Sequence, residues 1–386
     1  MKLDIALIFG GKSTEHEVSV ITALQAYEHL DKDKYNICAI YQSKKGDFYT
    51  NPKFLDVNNY KDIDSLLLSS EKIMFGKKEE KSGFWVLGIR NKFTPFDLAF
   101  PLFHGSFGED GCIQGLFEIY NMAYTGLNVM GSAVAMDKVA SKALFQSLEI
   151  PTANYFFTRR VGWNANPQKR LSDIEKVLKF PVFVKPADIG STIGINKANN
   201  RDELSFFIEV AATYSDKVLI EEAFEDCIEV NCAVLGYTKT TASVCEMPIR
   251  SSEILSYEDK YMKGAKGSKV SGMASLSRKI PAPISANLSK KIQDTTIKVF
   301  KVLEGCGVIR IDYFVDPKNE RFWINEVNSP PGSLSYYLFE PIGLSYKELL
   351  DRVIEYGLKR FEDQKKTQFT FDSPLLSQMA KGGIKR

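Results

Sequence analysis

Two segments near the C-terminal end place acidic and amide side chains at strand spacing. Arg310 and Asp312 stand two residues apart in RIDYF, and Glu326 and Asn328 stand two apart in WINEVN. Because alternate residues of a strand share a face, each pair points the same way. A short turn at 317–320 would bring all four together, and carboxylate and amide oxygens suit Mg²⁺ that also binds phosphate. The pattern favours a metal–nucleotide site over a plain amphipathic hairpin.

A lysine followed by a glycine-rich loop marks a second candidate site. The stretch KPADIGSTIG begins at Lys185 and places Ser191 between Gly190 and Gly194. Glycines let backbone N–H groups approach phosphate oxygens, and the lysine adds a point charge. A glycine-rich turn joining two antiparallel strands would explain the same residues, and this segment alone leaves both interpretations open.

A long polar stretch over residues 250–279 contains Lys260 and Tyr261. Loops of this length without a regular pattern often act as lids over binding sites. Composition alone, however, favours a solvated charged loop.

Several familiar sites are excluded. Gly11-Lys12-Ser13 follows the first predicted strand, but Ala6 occupies the position where a P-loop requires glycine. No GxGxxG fingerprint follows that strand and no GxSxG motif occurs, which argues against a dinucleotide site and a hydrolase triad. The six cysteines form no CxxC pair, and the two that lie close together, Cys227 and Cys232, are far in sequence from all three histidines, so we expect no structural zinc.

The N-terminal elements predict a parallel α/β unit. Ile5–Phe9 is an apolar strand, and a helix follows in which Thr14 and Glu17 fit a capping box. Tyr35–Tyr41 and Phe96–Phe103 are further strands, and the order strand–helix–strand indicates parallel pairing. Residues 43–93 are polar, with edge strands expected only at 47–50 and 84–88.

The rest of the chain alternates strands and helices, apart from a polar stretch at 158–173 that we interpret as a surface insertion. The expected strands cover 180–185, 217–222, 228–235, 243–247, 307–315 and 321–325, and the expected helices cover 138–148, 201–214, 288–303 and 345–359. We predict an N-terminal domain at 1–130, a central subdomain at 131–223, a C-terminal subdomain at 224–372 with a lid loop at 250–279, and a flexible tail at 373–386.

Composition excludes other function classes. The 386 residues are 44% hydrophobic and 25% charged, as in ordinary globular proteins of more than one domain. A formal net charge of +2 argues against a dedicated nucleic-acid or membrane-surface binder. No apolar run approaches the roughly 20 residues that span a bilayer. We therefore expect a cytoplasmic protein.

Taken in order, the motifs resemble those of the D-alanine–D-alanine ligase family, from about residue 3 to about residue 360. The matching segments are Gly10-Gly11 with STEHEVS at 13–19, HGSFGEDGCIQG at 104–115, Met136 to Lys138, the loop from Lys185, Lys260-Tyr261, RID at 310–312 and NEVN at 325–328. The resemblance implies an α/β protein of ATP-grasp fold with an N-terminal Rossmann-like parallel domain. It also implies ATP-dependent joining of two D-alanines through a D-alanyl phosphate, which supplies peptidoglycan synthesis.

The resemblance further implies roles for individual residues. Glu15 would hold the ammonium of the first D-alanine and would close the site together with Ser191 and Tyr261. The residues implied for ATP are Lys138, Lys185, Ser191, Glu221, Glu222, Phe224, Glu229, Lys260 and Asn325. Asp312, Glu326 and Asn328 would bind two Mg²⁺ ions, with Mn²⁺ as an alternative metal. Arg310 and the backbone of Gly332 would stabilise oxyanions, and a homodimer is the assembly that the family suggests.

One segment departs from the family pattern. The family places a serine followed by leucine where this chain has Tyr337 and Leu338. A phenol still donates a hydrogen bond, and Ser333 or Ser335 would otherwise hold the acceptor carboxylate. Two alternatives to D-alanine–D-alanine ligation therefore stay open: a ligase that accepts D-serine or another small amino acid, and a catalytically silent ATP-binding homologue.

Overall fold

A computed structural model describes residues 2–190, 193–224, 226–249 and 277–380. Among the candidate residues, Ser191, Lys260 and Tyr261 lie outside these ranges, as do most of the predicted lid loop and the last residues of the predicted tail. The described strands form three sheets with seven, four and five strands, arranged along the chain in that order. The domain boundaries expected from the sequence remain a prediction.

The N-terminal sheet is mixed. In the order β6-β5-β4-β3-β2-β1-β7, only β1, β2 and β7 pair in parallel, whereas the others pair antiparallel. The strands are β1 (Leu3–Gly10), β2 (Tyr35–Gln42), β3 (Phe48–Thr50), β4 (Glu71–Lys78), β5 (Lys81–Val86), β6 (Lys92–Pro95) and β7 (Leu98–Pro101). β1 lies inside the sheet and its residues from Ile5 to Phe9 are fully buried, which explains its continuous apolar run. The expectation that 47–50 and 84–88 form edge strands is wrong, because β3 and β5 have a neighbour on each side.

Most of the helices pack against these sheets, whereas the residues of the last one are all exposed. Their bounds are α1 (His16–His29), α2 (Ile63–Leu68), α3 (Cys112–Ile119), α4 (Val129–Met136), α5 (Lys138–Ser147), α6 (Arg160–Ala165), α7 (Pro167–Val177), α8 (Arg201–Tyr214), α9 (Ala286–Val302), α10 (Tyr346–Gln364) and α11 (Leu375–Ala380). The capping box predicted at Thr14 and Glu17 is wrong, because Glu15 is the N-cap and makes no side-chain cap bond. Glu17 instead pairs with Lys44 at 2.5 Å.

The central sheet is antiparallel in the order β10-β9-β11-β8. Its strands are β8 (Tyr155–Arg159), β9 (Val182–Pro186), β10 (Asn196–Ala198) and β11 (Lys217–Glu222). The interpretation of 158–173 as a surface insertion is wrong. That stretch forms the end of β8, helix α6 and part of α7, and it buries Trp163 and Leu171 against this sheet.

The C-terminal sheet carries most of the candidate residues. It is antiparallel in the order β14-β13-β12-β15-β16. Its strands are β12 (Ile228–Gly236), β13 (Thr240–Pro248), β14 (Arg278–Lys279), β15 (Gly307–Asp316) and β16 (Arg321–Asn328). Apolar residues of β12, β15 and α9 form one buried cluster on one face of this sheet. The polar residues that alternate with them are left on the other face.

Two further features bear on function. A cluster of buried apolar residues joins β1 and α1 to α10 and to the turn at 334–339, so the N-terminal and C-terminal parts of the chain share one apolar core. Within the described residues, no helix combines the length and the apolar composition that a bilayer crossing requires.

Candidate active site

The hairpin of β15 and β16 brings the four predicted side chains together. Asp312 lies opposite Glu326, and Arg310 lies opposite Asn328. The guanidinium of Arg310 donates twice to Asp312, from Nε to Oδ1 at 2.7 Å and from Nη2 to Oδ2 at 2.8 Å. Asn328 Nδ2 also donates to Asp312 Oδ2 at 3.1 Å. The short turn predicted at 317–320 joins the two strands.

The hairpin extends a row of polar side chains across the sheet. Glu246 of β13 lies opposite Asn231 of β12, Asn231 lies opposite Asp312, and Asp312 lies opposite Glu326. Residues directly opposite on neighbouring strands share a face, so the four side chains stand on one side of the sheet. The row places three carboxyl groups and one amide beside Arg310.

A cavity opens above this face between the N-terminal and C-terminal sheets. Its lining is Glu15, His104, Glu109, Ala135, Met136, Lys138, Gly190, Arg310, Glu326, Val327, Asn328, Pro330 and Gly332. Six of these were candidates from the sequence: Glu15, Lys138, Arg310, Glu326, Asn328 and Gly332. Around one space the structure therefore places Glu15, implied to bind D-alanine, and Lys138, implied to bind phosphate. The same space is lined by Arg310 and Gly332, implied to stabilise oxyanions, and by two implied metal ligands, Glu326 and Asn328.

Glu15 reaches the cavity from a tight turn after β1. Gly10 has a φ of +96°, and a Cβ at this position would lie 2.3 Å from the Gln42 carbonyl oxygen, so only glycine fits. His16 is buried and holds the turn by contacts from Nδ1 to the Gly11 carbonyl at 2.7 Å and from Nε2 to the Tyr41 hydroxyl at 2.8 Å. His16 thus has a structural role.

The glycine-rich loop after β9 approaches Glu15. A Cβ on Gly190 would lie 2.4 Å from Glu15 Oε2, so the absence of a side chain permits this contact. Lys138 at the start of α5 donates to the Ile189 carbonyl at 2.8 Å, and its ammonium lies 3.8 Å from Glu326 Oε2. The loop, α5 and β16 therefore meet at the cavity.

Lys185 belongs to a buried charge cluster. Its ammonium pairs with Glu221 and donates to Asn325 Oδ1 at 3.2 Å. Lys142, one helical turn after Lys138, also contacts Glu221, at 2.8 Å. Burial acts to raise the pKa of Glu221, but the two lysines outweigh it and lower that pKa to about 2. The cluster keeps one net positive charge, which suits a phosphate.

Two residues of the HGSFGEDG motif lie deep in the cavity. Glu109 accepts from the backbone N–H of Gly105 at 2.6 Å and from that of Ser329 at 3.0 Å, which joins the N-terminal domain to the loop after β16. Burial, and next the nearby charge of Glu15, raise the pKa of Glu109 well above its ordinary value. His104 lies 3.0 Å from the Thr22 hydroxyl.

Burial also affects the pKa values of His104 and Arg310. Burial and the charge of Arg310 lower the pKa of His104 to about 4, so its ring is neutral near pH 7. Burial acts to lower the pKa of Arg310, but Asp312 more than offsets this effect and raises that pKa. Arg310 is therefore a permanent positive charge, as an oxyanion-binding group requires.

The residues implied for adenine and ribose lie apart from this cavity's lining. The Glu222 carboxylate accepts from the backbone and side chain of Asn154, each at 3.1 Å. The ring of Phe224 stacks on Trp323 with a centroid distance of 4.6 Å. Glu229 lines a second cavity at the start of β12, together with Lys279 and other residues. Their nucleotide roles remain predictions.

The turn after β16 carries the acceptor candidates. Ser333, Leu334 and Ser335 all have φ near +50°, which is a left-handed conformation uncommon outside glycine. Ser333 Oγ donates to Gln25 of α1 at 2.6 Å, and Leu338 is fully buried. Ser335 Oγ is buried and has no hydrogen-bond partner among the described residues.

Sequence reasoning missed several residues that shape the site. Lys142 had a usable signal, because Lys138 and Lys142 stand one helical turn apart and so share a face. Glu109 sits in the motif at 104–115, which the sequence analysis matched to the family without assigning a role to any of its residues. Glu246 and Arg278 carried no such signal, because their place depends on which strands pair.

Comparison with known proteins identifies the family. The family model described as D-ala D-ala ligase N-terminus matches residues 4–127, and the one described as D-ala D-ala ligase C-terminus matches residues 144–355. The chain belongs to the D-alanine–D-alanine ligase family. As a member of this family it is an ATP-dependent ligase with the ATP-grasp fold.

Individual relatives agree over nearly the whole chain. The D-alanine–D-alanine ligase of Thermosipho melanesiensis is 36% identical over 94% of this chain and 96% of the relative. The solved D-alanine–D-alanine ligase of Coxiella burnetii is 26% identical with a TM-score of 0.78 and 99% of each chain covered. The solved VanG D-Ala:D-Ser ligase of Enterococcus faecalis is 30% identical with a TM-score of 0.78, covering 92% of this chain and all of that one.

Proposed function

We propose that this ligase joins two D-alanines, with ATP as the energy source, to give D-alanyl-D-alanine for peptidoglycan precursors. The observation that carries the proposal is the cavity where Glu15, Lys138, Arg310 and Glu326 meet. An acidic group for a substrate ammonium, cations for phosphate and hard oxygen ligands for a metal are what this reaction needs in one place.

The donor set fits a divalent metal. Asp312 and Glu326 offer carboxylate oxygens and Asn328 offers an amide oxygen, which are hard ligands. Among the described residues, no group of three or more His, Cys, Asp or Glu side chains is arranged to hold a metal. Such a sparse set suits Mg²⁺, which keeps waters and phosphate oxygens in its shell. We propose two Mg²⁺ ions, or Mn²⁺ in their place.

The first step transfers the γ-phosphoryl group of ATP to the carboxylate of the first D-alanine. Glu15 would hold the substrate ammonium and so orient the carboxylate toward ATP. Lys138 and Lys185 would place positive charge on the phosphates, because phosphoryl transfer depends on positioning and charge neutralisation. The metal, when bound, adds to this neutralisation. Glu221 and Asn325 would hold the Lys185 ammonium in place while it contacts the phosphates.

In the second step the amine of the other D-alanine attacks the acyl phosphate. The tetrahedral oxyanion would be met by Arg310 and by the backbone N–H of Gly332, both of which line the cavity. One donor of this kind contributes about 3 kcal/mol in other acyl-transfer sites. The amine lone pair forms the C–N bond, phosphate then leaves with the C–O bond electrons, and the departing phosphate takes up the proton that the amine loses.

The alternatives are less well supported. The family models and the relatives named above as D-alanine–D-alanine ligases favour D-alanine as the acceptor over D-serine. A silent homologue would not need Lys185, Arg310, Asp312, Glu326 and Asn328 together, and all five are present. We further propose a cytoplasmic homodimer that binds neither nucleic acid nor membranes.

A product analysis tests the proposal. The purified chain would be incubated with ATP, Mg²⁺ and a panel of D-amino acids, each alone and each mixed with D-alanine, and the dipeptides and released phosphate would be measured. We expect D-alanyl-D-alanine and one ADP for each peptide bond. Phosphate release that does not depend on a D-amino acid, or a mixed dipeptide formed in preference to D-alanyl-D-alanine, would contradict it.

A further inference from the structure

The phenol of Tyr337 is held by two side chains from neighbouring strands. Its hydroxyl donates to Glu246 Oε1 at 3.2 Å. The guanidinium carbon of Arg278 lies 4.0 Å from the centre of its ring. Arg278 Nη1 in turn donates to Glu246 Oε2 at 2.6 Å. We call these three residues the Tyr337 cluster.

The Tyr337 cluster is buried. Tyr337 and Glu246 are 7% and 1% exposed. A charge-assisted hydrogen bond and a cation–π contact, both shielded from water, restrict the ring to one orientation. The hydroxyl proton is already engaged by a carboxylate. Tyr337 therefore presents its ring, rather than a free donor, to whatever lies beside it.

The Tyr337 cluster adjoins the reacting end of the site. Glu246 belongs to the polar row that continues through Asn231 to Asp312. Asn231 Nδ2 donates to Glu246 Oε1 at 3.2 Å, so the cluster is bonded to this row. Electrostatic interactions of Arg310 also reach both Tyr337 and Glu246. Tyr337 follows Gly332, a cavity-lining residue, on the same turn.

We propose that Glu246 and Arg278 are specificity-determining positioning residues for the acceptor amino acid. They hold the Tyr337 ring as a fixed wall of the acceptor subsite, so that the wall admits a methyl side chain and excludes longer ones. Neither residue touches a substrate. The inference rests on the proposed function, and it assigns the acceptor carboxylate to donors of the turn other than Tyr337.

Steady-state titration of D-alanine tests the inference, because it resolves a tight first site and a weak second site. Three variants are compared with wild type: Glu246→Gln, Arg278→Met and Arg278→Lys. We expect the first two to raise the weak-site constant about tenfold or more, as loss of a charged hydrogen bond does. They should also increase the use of D-2-aminobutyrate relative to D-alanine. Arg278→Lys keeps the charge but loses the planar contact, so it should restore only part of the affinity.

A matched control variant shows whether the change in the D-alanine constants depends on where the arginine lies or only on a general loss of stability. Arg360 is buried and also contacts a tyrosine ring, with its guanidinium carbon 4.1 Å from the ring centre of Tyr124. It donates to the carbonyls of Tyr124 and Gly126 rather than to the polar row, so Arg360→Lys disturbs the same kind of contact elsewhere and should leave the ratio of weak-site to tight-site constants at the wild-type value.

The outcomes are distinguishable. An unchanged ratio of the two D-alanine constants in Arg278→Lys and Glu246→Gln overturns the inference, as does a parallel change of both constants and of the KM for ATP. If Glu246→Gln or Arg278→Met fails to fold, the ratio of weak-site to tight-site D-alanine constants is measured in Arg278→Lys and Tyr337→Phe instead, and it is judged in the same way. A wild-type chain that makes no D-alanyl-D-alanine overturns the proposed function instead.

Discussion

The Lys142 ammonium lies 2.8 Å from the Glu221 carboxylate, and each side chain is 1% exposed. Lys185 shares the same carboxylate. Lys142 thus provides a second countercharge for Glu221, so that Lys185 can direct part of its charge to a phosphate. A buried carboxylate that loses one cation loses stability as well as electrostatic balance.

We therefore expect Lys142→Met to reduce the free energy of unfolding by about 3 kcal/mol and to raise the KM for ATP. Urea denaturation and an ATP titration measure the two effects. Glu221→Gln alone leaves two buried ammonium groups without a carboxylate, whereas the double variant Lys142→Met/Glu221→Gln leaves only that of Lys185, so the double variant should be the more stable of these two. A strictly additive loss in the double variant would show that Lys142 acts through packing alone.

Glu326→Gln replaces a carboxylate that lines the cavity and lies 3.8 Å from Lys138. The amide is a poorer ligand for a divalent metal, so turnover should fall by at least the roughly 10–100-fold seen when supporting residues of metal sites are changed. The rate is measured over a range of Mg²⁺ concentrations. Glu355→Gln, on the exposed side of α10, is the control. Wild-type turnover in a folded Glu326→Gln would remove this residue from the metal site.

Arg310→Ala should lower kcat by roughly 100-fold to 1,000-fold and change the KM for ATP much less, because the guanidinium serves the developing oxyanion. Single-turnover kinetics and ATP binding separate the two quantities. Loss of ATP binding with normal turnover of bound substrate would mean that Arg310 is a nucleotide ligand or only the partner of Asp312.

Glu109→Ala removes the acceptor of two backbone N–H groups, those of Gly105 and Ser329. We expect a destabilisation of about 1–3 kcal/mol and a lower kcat, because the loop that carries Gly332 loses one of its attachments to the N-terminal domain. Thermal unfolding and kcat are measured together. Glu109→Gln keeps an acceptor oxygen and should lose less of both; equal losses would argue for the charge rather than the bridge.

His104 predicts a pH dependence of stability. Its folded pKa is about 4, below the ordinary 6.5. Between pH 4 and pH 6.5 the unfolded chain binds the His104 proton and the folded chain does not. The contribution of His104 to the free energy of unfolding is therefore complete above pH 6.5 and falls as the pH drops toward 4. The full loss is about 3 kcal/mol. Urea unfolding at a series of pH values gives the slope of the free energy of unfolding against pH, which should be shallower in His104→Gln than in the wild type. Equal slopes would contradict the proposal that His104 causes this pH dependence.

Local patterns sufficed for the hairpin of β15 and β16. Alternation placed Arg310 with Asp312 and Glu326 with Asn328, and a short turn left one way to pair them. The buried strand β1 was equally readable, because a continuous apolar run that ends at paired glycines is typical of a buried strand followed by a tight turn.

Non-local contacts account for part of what the sequence left open. Strands β3 to β6 pair with their neighbours along the chain, and they were largely unreadable because their many exposed polar residues leave no clear alternation. Glu246 enters the site only through its register with Asn231, and Arg278 only through β14. The capping box failed because Glu17 pairs with Lys44 of another segment. Local pattern does not encode such partners.

The polar row across the C-terminal sheet constrains which changes of chain length the enzyme can accept. Asp312, Asn231 and Glu246 face the cavity side only while three strands keep their present pairing. A single inserted or deleted residue within β12 or β15 would rotate every following side chain to the opposite face. Substitutions in these strands alter one group at a time, whereas a one-residue indel would send carboxylates into the apolar layer and bring apolar groups to the cavity. In variants of this chain that keep their activity, insertions and deletions should therefore be confined to the turns.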